Sequence, residues 1–113
     1  MKSSTVDAKR FSHYLNRDGG CVHCGDIETA VPHHRANRGM GGSKVRDVPS
    51  NIIVVCAYIN GQMEANSVTA AYAKRHGWKL ESWQDPKTVQ VWYATKRAWI
   101  TLDDNFGLSF EER

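Results

Sequence analysis

With 113 residues, the chain has room for one domain and only a modest core. It contains nothing near the roughly 20 apolar residues of a membrane span, and "MKSSTVDAKRF" lacks an apolar signal core, so a cytoplasmic protein with no membrane partner is expected. Fifteen Lys and Arg against 12 Asp and Glu give a net charge of +3, but the excess is local: Arg35, Arg38, Lys44 and Arg46 share one stretch without an acid, while Asp103, Asp104, Glu111 and Glu112 gather at the other end. Such a basic stretch is either a solvated loop or a contact for a polyanion such as nucleic acid.

In chain order, "TVDAKRFSHYLNRDGG" places Val6, Phe11, Tyr14 and Leu15 at mostly helical spacing, with Gly19 and Gly20 as a stop, so a short helix is predicted. "CVHCGD" follows as a tight turn, and "IETAV" can run extended into the pair His33–His34. "RANRGMGGSKVRDVPS" has no periodicity and reads as a loop. "NIIVVC" is the clearest strand, a β-branched run of the length expected for a buried one. "GQMEANSVTAAYAKRHGW" reads as a helix ending near Gly77. Val89, Val91 and Tyr93 then alternate, and "AWITL" can pair with them across "TKR" as a hairpin over about 88–103, with "DDNFG" a turn. Most of the four tryptophans, all between Trp78 and Trp99, are expected in packing.

Cys21, Cys24 and Cys56 are an odd number of cysteines, which argues against a disulfide framework and leaves metal binding or packing. Cys21–Cys24 could also be a redox pair, but no thioredoxin-like βαβ pattern surrounds it and Gly25–Asp26 suits a metal knuckle better. Adjacent histidines on an extended strand point to opposite sides, so each can serve a different partner. Imidazole titrates near neutrality and suits a general base. Asn60 either caps a helix beginning near Gly61 or offers an oxygen ligand. Gly39, Gly41 and Gly42 serve flexibility or let backbone approach a phosphate. His13, His23 and His76 carry no pattern.

Taken together, "CVHCG", "HHRANRGMGGS" and "NIIVVCAYIN", in this order, resemble the HNH endonucleases, and "LNRDGGCVHCG" is similar to the lead-in of phage and bacterial members. The resemblance spans about half the chain, from Leu15 to roughly Glu64. It implies an α+β fold: a ββα-metal finger over about 21–76 with an N-terminal helix and a C-terminal hairpin, in a single domain. It further implies a divalent-metal-dependent endonuclease acting on double-stranded DNA, with His34 as general base, His33 as metal ligand and Asn51 positioning the base-bearing segment. Arg35, Arg38, Lys44 and Arg46 would hold the phosphate backbone. The family's last His is Asn60 here, an HNN variant whose harder oxygen ligand suits Mg²⁺ or Mn²⁺. Many relatives close a structural zinc site with two Cys-x-x-Cys pairs. Here Ile59 stands where the fourth Cys would be, so either Cys21, Cys24 and Cys56 hold zinc with an outside ligand or water, or they pack as small apolar groups. A ribonuclease or a non-catalytic nucleic-acid-binding module on the same scaffold are the alternatives. Sequence specificity would come from a second copy of the chain or a partner protein.

Overall fold

The computed structural model describes residues 6–37 and 47–111. Among these residues the class is α+β, with three α-helices, a short 3₁₀ turn and two small antiparallel sheets. Helix α1 spans Ala8–Asp18. Asp7 caps its start, accepting from the Arg10 N–H at 2.8 Å, and Gly19 ends it in the left-handed region with its N–H on the Leu15 carbonyl. Its apolar side, with Phe11, Tyr14 and Leu15, packs on Ile52 and Val54.

Strand β1, Val31–His34, pairs antiparallel with β2, Ile52–Val55, placing His33 opposite Ile53 and His34 opposite Ile52. All four β2 residues are buried, because the ladder is covered on both sides. Ile53 and Val55 face the main core with Cys21, Val22, Met63 and Trp78, whereas Ile52 and Val54 face α1.

The chain then enters helix α2, Ala57–Ala65, and helix α3, Ser67–Arg75. The single helix expected from near Gly61 is thus two, and the first starts four residues earlier. Cys56 caps α2 through its sulfur. Asn66 breaks the run by capping α3, its Oδ1 accepting from Val68 and Thr69 N–H. Gly77 does mark the end: its φ is +77°, and an added Cβ would lie 2.0 Å from the Gln90 carbonyl oxygen, so only glycine lets the two segments approach.

Strands β3 (Val91–Tyr93), β4 (Ala98–Leu102) and β5 (Leu108–Glu111) form the second sheet in that order. The predicted hairpin is present, and β5 extends it to three strands across the Asp103–Gly107 turn. Trp78 is fully buried and Trp92 packs against Trp99, whereas Trp83 is exposed.

A buried staple joins the layers. Arg17 pairs with Asp18 at 2.7 Å and also donates to the carbonyls of Pro49 and Ile52. Asp18 accepts from the Val54 N–H and from the Tyr93 hydroxyl. Helix α1, the ladder and the second sheet therefore share one polar knot. No helix among the described residues is long and apolar enough to cross a membrane.

Candidate functional site

Two constellations carry chemistry: the end of the β1–β2 ladder and a cysteine cluster beside it. At the ladder, Asn51 is fully buried and makes a two-way bridge. Its Nδ2 donates to the Ala36 carbonyl at 3.0 Å, and its Oδ1 accepts from the Ala36 N–H at 2.9 Å. Its own carbonyl accepts from the Arg35 N–H at 2.7 Å. A carboxamide both donates and accepts, so one side chain holds the segment after the histidines against the entry to β2.

His33 and His34 face opposite sides of the ladder, as alternation requires. His33 is only 9 % exposed, and its Nε2 lies 2.8 Å from the Trp78 carbonyl oxygen. A carbonyl only accepts, so Nε2 carries the proton and Nδ1 the lone pair. Burial pushes the imidazole down to about 4; the Trp78 carbonyl opposes this, and nearby Lys79, His34 and Arg35 add repulsion. His33 is therefore neutral near pH 7, with its ring oriented by a carbonyl. A metal-binding imidazole is commonly held the same way.

His34 is half-buried, and its Nε2 lies 3.1 Å from Asp47 Oδ1. Asp47 is in turn fixed from α1: Arg10 Nη1 reaches its Oδ2 at 3.3 Å, and Arg10 Nη2 donates to its carbonyl and to the Tyr14 hydroxyl. A carboxylate partner keeps the His34 proton on Nε2 and the lone pair on Nδ1. Sequence reasoning missed Asp47; no spacing marks an acid thirteen residues from its histidine across an aperiodic loop.

Arg35 requires a correction. It is 1 % exposed and is no phosphate clamp. Its guanidinium donates to four carbonyls, those of Gly77 (2.8 Å), Ser50 (2.8 Å), Pro86 (2.9 Å) and Val89 (2.7 Å). Burial pulls its pKa down to about 9, still well above neutrality. The side chain is a charged strut that pins the 77–89 segment to β1. Arg38, Lys44 and Arg46 lie outside the described residues.

Asn60 sits in the interior of α2, so Cys56 rather than Asn60 is the cap. It is partly buried, and no hydrogen bond joins its side chain to either histidine among the described residues.

Cys21, Cys24 and Cys56 come together with their sulfurs all within 4.8 Å of one another, close enough to bind a metal ion. Cys21 and Cys56 are buried and Cys24 is exposed. Two similar turns supply them. In the first, the His23 N–H donates to Cys21 Sγ at 3.4 Å and the Gly25 N–H to the Cys21 carbonyl. In the second, the Ile59 N–H donates to Cys56 Sγ at 3.4 Å and the Asn60 N–H to the Cys56 carbonyl. Burial pushes the Cys21 thiol up to about 11, against backbone N–H groups of Cys24, His23 and Cys56 that favour its thiolate. His23 is not grouped with the three as a ligand; its ring stands edge-on to Trp78. No family model, curated protein or solved structure matches this chain.

Proposed function

We propose that the chain is a divalent-metal-dependent nuclease that hydrolyses phosphodiester bonds of double-stranded DNA, built as an HNH-like ββα finger. The observation that carries this reading is the ladder end. Asn51 locks the strand bearing two neighbouring imidazoles, each with its Nε2 proton committed, one to a carbonyl and one to a carboxylate. His34 takes a proton from water on Nδ1, and Asp47 stabilises the imidazolium that forms. His33, neutral and oriented by Trp78, offers Nδ1 as a ligand, with the Asn60 carbonyl oxygen as its partner. When bound there, Mg²⁺ or Mn²⁺ supplies positive charge to the phosphate and the departing 3′ oxygen. Arg38, Lys44 and Arg46, without Arg35, are the residues assigned to the phosphate backbone. Binding of that kind is salt-sensitive and reads little sequence.

Plasmid nicking with Mg²⁺ or Mn²⁺ tests the reading, comparing the parent with His34→Ala. Cleavage by the parent and not the variant is expected; equal cleavage by both removes His34 as base. The opposed faces of the two imidazoles favour a second reading, a nucleic-acid-binding module without catalysis. Binding without cleavage across a series of divalent ions would select it. RNA and DNA run side by side distinguish a ribonuclease.

A further inference from the structure

Of the four tryptophans only Trp83 is exposed, at 80 %, more than any other large apolar residue among those described. A lone exposed indole is ordinary in itself. This one stands on a turn that is closed in both directions: the Gln84 N–H donates to the Glu81 carbonyl at 3.1 Å, and the Glu81 N–H donates to Gln84 Oε1 at 2.7 Å. The turn is also fastened to the strand that carries the imidazoles. The Leu80 N–H donates to the Arg35 carbonyl at 2.8 Å, the Trp78 carbonyl meets the His33 ring, and the Arg35 guanidinium holds the carbonyls of Pro86 and Val89 on the far side of the turn. An apolar ring is thus held out to solvent on a braced support, rather than left on a loose loop.

Beside the turn lies a cavity of about 290 Å³ lined by Asn37, Lys74, Lys79, Leu80, Glu81 and Ser82. Ser82 precedes Trp83 in the chain, and Asn37 ends the segment that follows the histidines, so the cavity joins the turn to the ladder end. Two lysines against one glutamate leave it a single positive charge. Glu81 pairs with Lys74 at 3.3 Å, but both side chains are about half-exposed, and such a surface pair yields readily to another anion. The next acid along, Asp85, is occupied within its own turn, where Oδ1 accepts from the Lys87 N–H at 3.0 Å.

We propose that the Trp83 turn and the Lys74–Lys79 cavity form a subsite for an unpaired nucleotide of DNA, the indole stacking on the base and the lysines holding the adjoining phosphate. A duplex stacks its bases on one another and turns only their edges outward, so an indole finds a base face only where the strand is unpaired. The preferred substrate is therefore a duplex with a single-stranded overhang or gap, its unpaired part lying along the 79–83 segment. Stacking accepts any base, so this subsite reads strand structure and not sequence. The inference rests on the proposed nucleic-acid partner and deepens it, but it uses neither imidazole nor a metal ion.

The test is tryptophan fluorescence and DNA binding by the full chain in a chelator, so that nothing is cut. The probes are a blunt duplex and the same duplex with a thymidine overhang. The overhang duplex is expected to bind more tightly and to quench the emission, because Trp83 is the exposed indole. Trp83→Ala should lose the quench and bind the overhang duplex about 5- to 150-fold more weakly, with an unchanged melting curve. Trp83→Phe keeps a stacking face and should restore most of the affinity. Lys79→Gln should lower the slope of log affinity against log salt by about 0.7, the share of one phosphate contact on a single strand. Equal binding of the two duplexes by the parent overturns the proposal, as does an affinity that Trp83→Ala leaves unchanged or a salt slope that Lys79→Gln leaves unchanged. An emission that responds to phosphatidylserine vesicles and to neither duplex overturns it in favour of a membrane contact. Cleavage that depends on His34 alongside normal binding by Trp83→Ala would sink this inference and leave the nuclease reading standing. Trp83-dependent binding of the overhang without any cleavage would do the reverse.

Discussion

The two faces of the β1–β2 ladder show the same residue type put to opposite uses. On one face His33 is buried against the main core, its Nε2 on the Trp78 carbonyl, and kept neutral. On the other, His34 is half-buried under α1, with a carboxylate on its Nε2. The first environment penalises charge on the ring, whereas the second sets a carboxylate beside it. A doublet of histidines is thereby divided between a ring that burial keeps neutral and a ring with an acidic partner.

The largest effect that would sharpen this contrast follows from the proposed nuclease reading. His34→Ala is expected to lower plasmid cleavage by about 10²–10⁴-fold, the usual contribution of a general base, with an unchanged melting curve. A loss of folding instead would assign His34 to structure.

Next comes the strut on the His33 side. Arg35→Met leaves the carbonyls of Gly77, Ser50, Pro86 and Val89 without their donor. Stability should fall on the order of 3–5 kcal/mol in urea unfolding. Normal stability with weakened DNA binding would return Arg35 to the phosphate-contact role that its burial denies.

The neutral state of His33 has a pH signature in the metal-free protein. Its folded pKa of about 4 lies below the ordinary 6.5, so between these values the unfolded chain binds the extra proton. Stability is full above pH 6.5, declines as the pH falls toward 4, and levels off below. The loss amounts to about 3 kcal/mol. His33→Gln keeps a donor for the Trp78 carbonyl but cannot titrate, and should flatten that slope. An unchanged slope would mean that another group produces it.

The smallest effect belongs to Asp47. Asp47→Asn keeps a polar partner for His34 but removes the negative charge. Losing one charge-assisted hydrogen bond is worth about 1.5–3 kcal/mol, or about ten- to a hundredfold in rate. A rate equal to the parent's would leave Asp47 as packing alone.

What the sequence disclosed divides along the same physical line. Local signals were readable. Gly19 ends α1, the β-branched run marks β2, the alternation of Val91 and Tyr93 marks β3, and three cysteines suggested a cluster. The onset of α2 was not, because its cap is a cysteine sulfur, an uncommon capping group, and Asn66 interrupts an apparently continuous helical pattern. β5 lies beyond the Asp103–Gly107 turn, where no strand was expected. Arg35 shows the deeper limit. Its acceptors are backbone carbonyls up to 54 residues away, and a carbonyl is the same in every residue, so no side-chain pattern announces it. In the cluster, the third cysteine was countable, but its distance from the other two depends on the fold.

The Arg35 strut also bears on where the β1–β2–α2–α3 unit can be cut from the rest of the chain. A fragment ending before Gly77 would keep β1, β2, α2 and α3, yet lose the carbonyls of Gly77, Pro86 and Val89 that surround the guanidinium and the Trp78 carbonyl that orients His33. A buried cation would be left with only the Ser50 acceptor. The 77–89 segment is therefore an inner wall of the β1–β2–α2–α3 unit, and that unit cannot be transplanted by its motif boundaries: any graft has to carry the 77–89 segment as well.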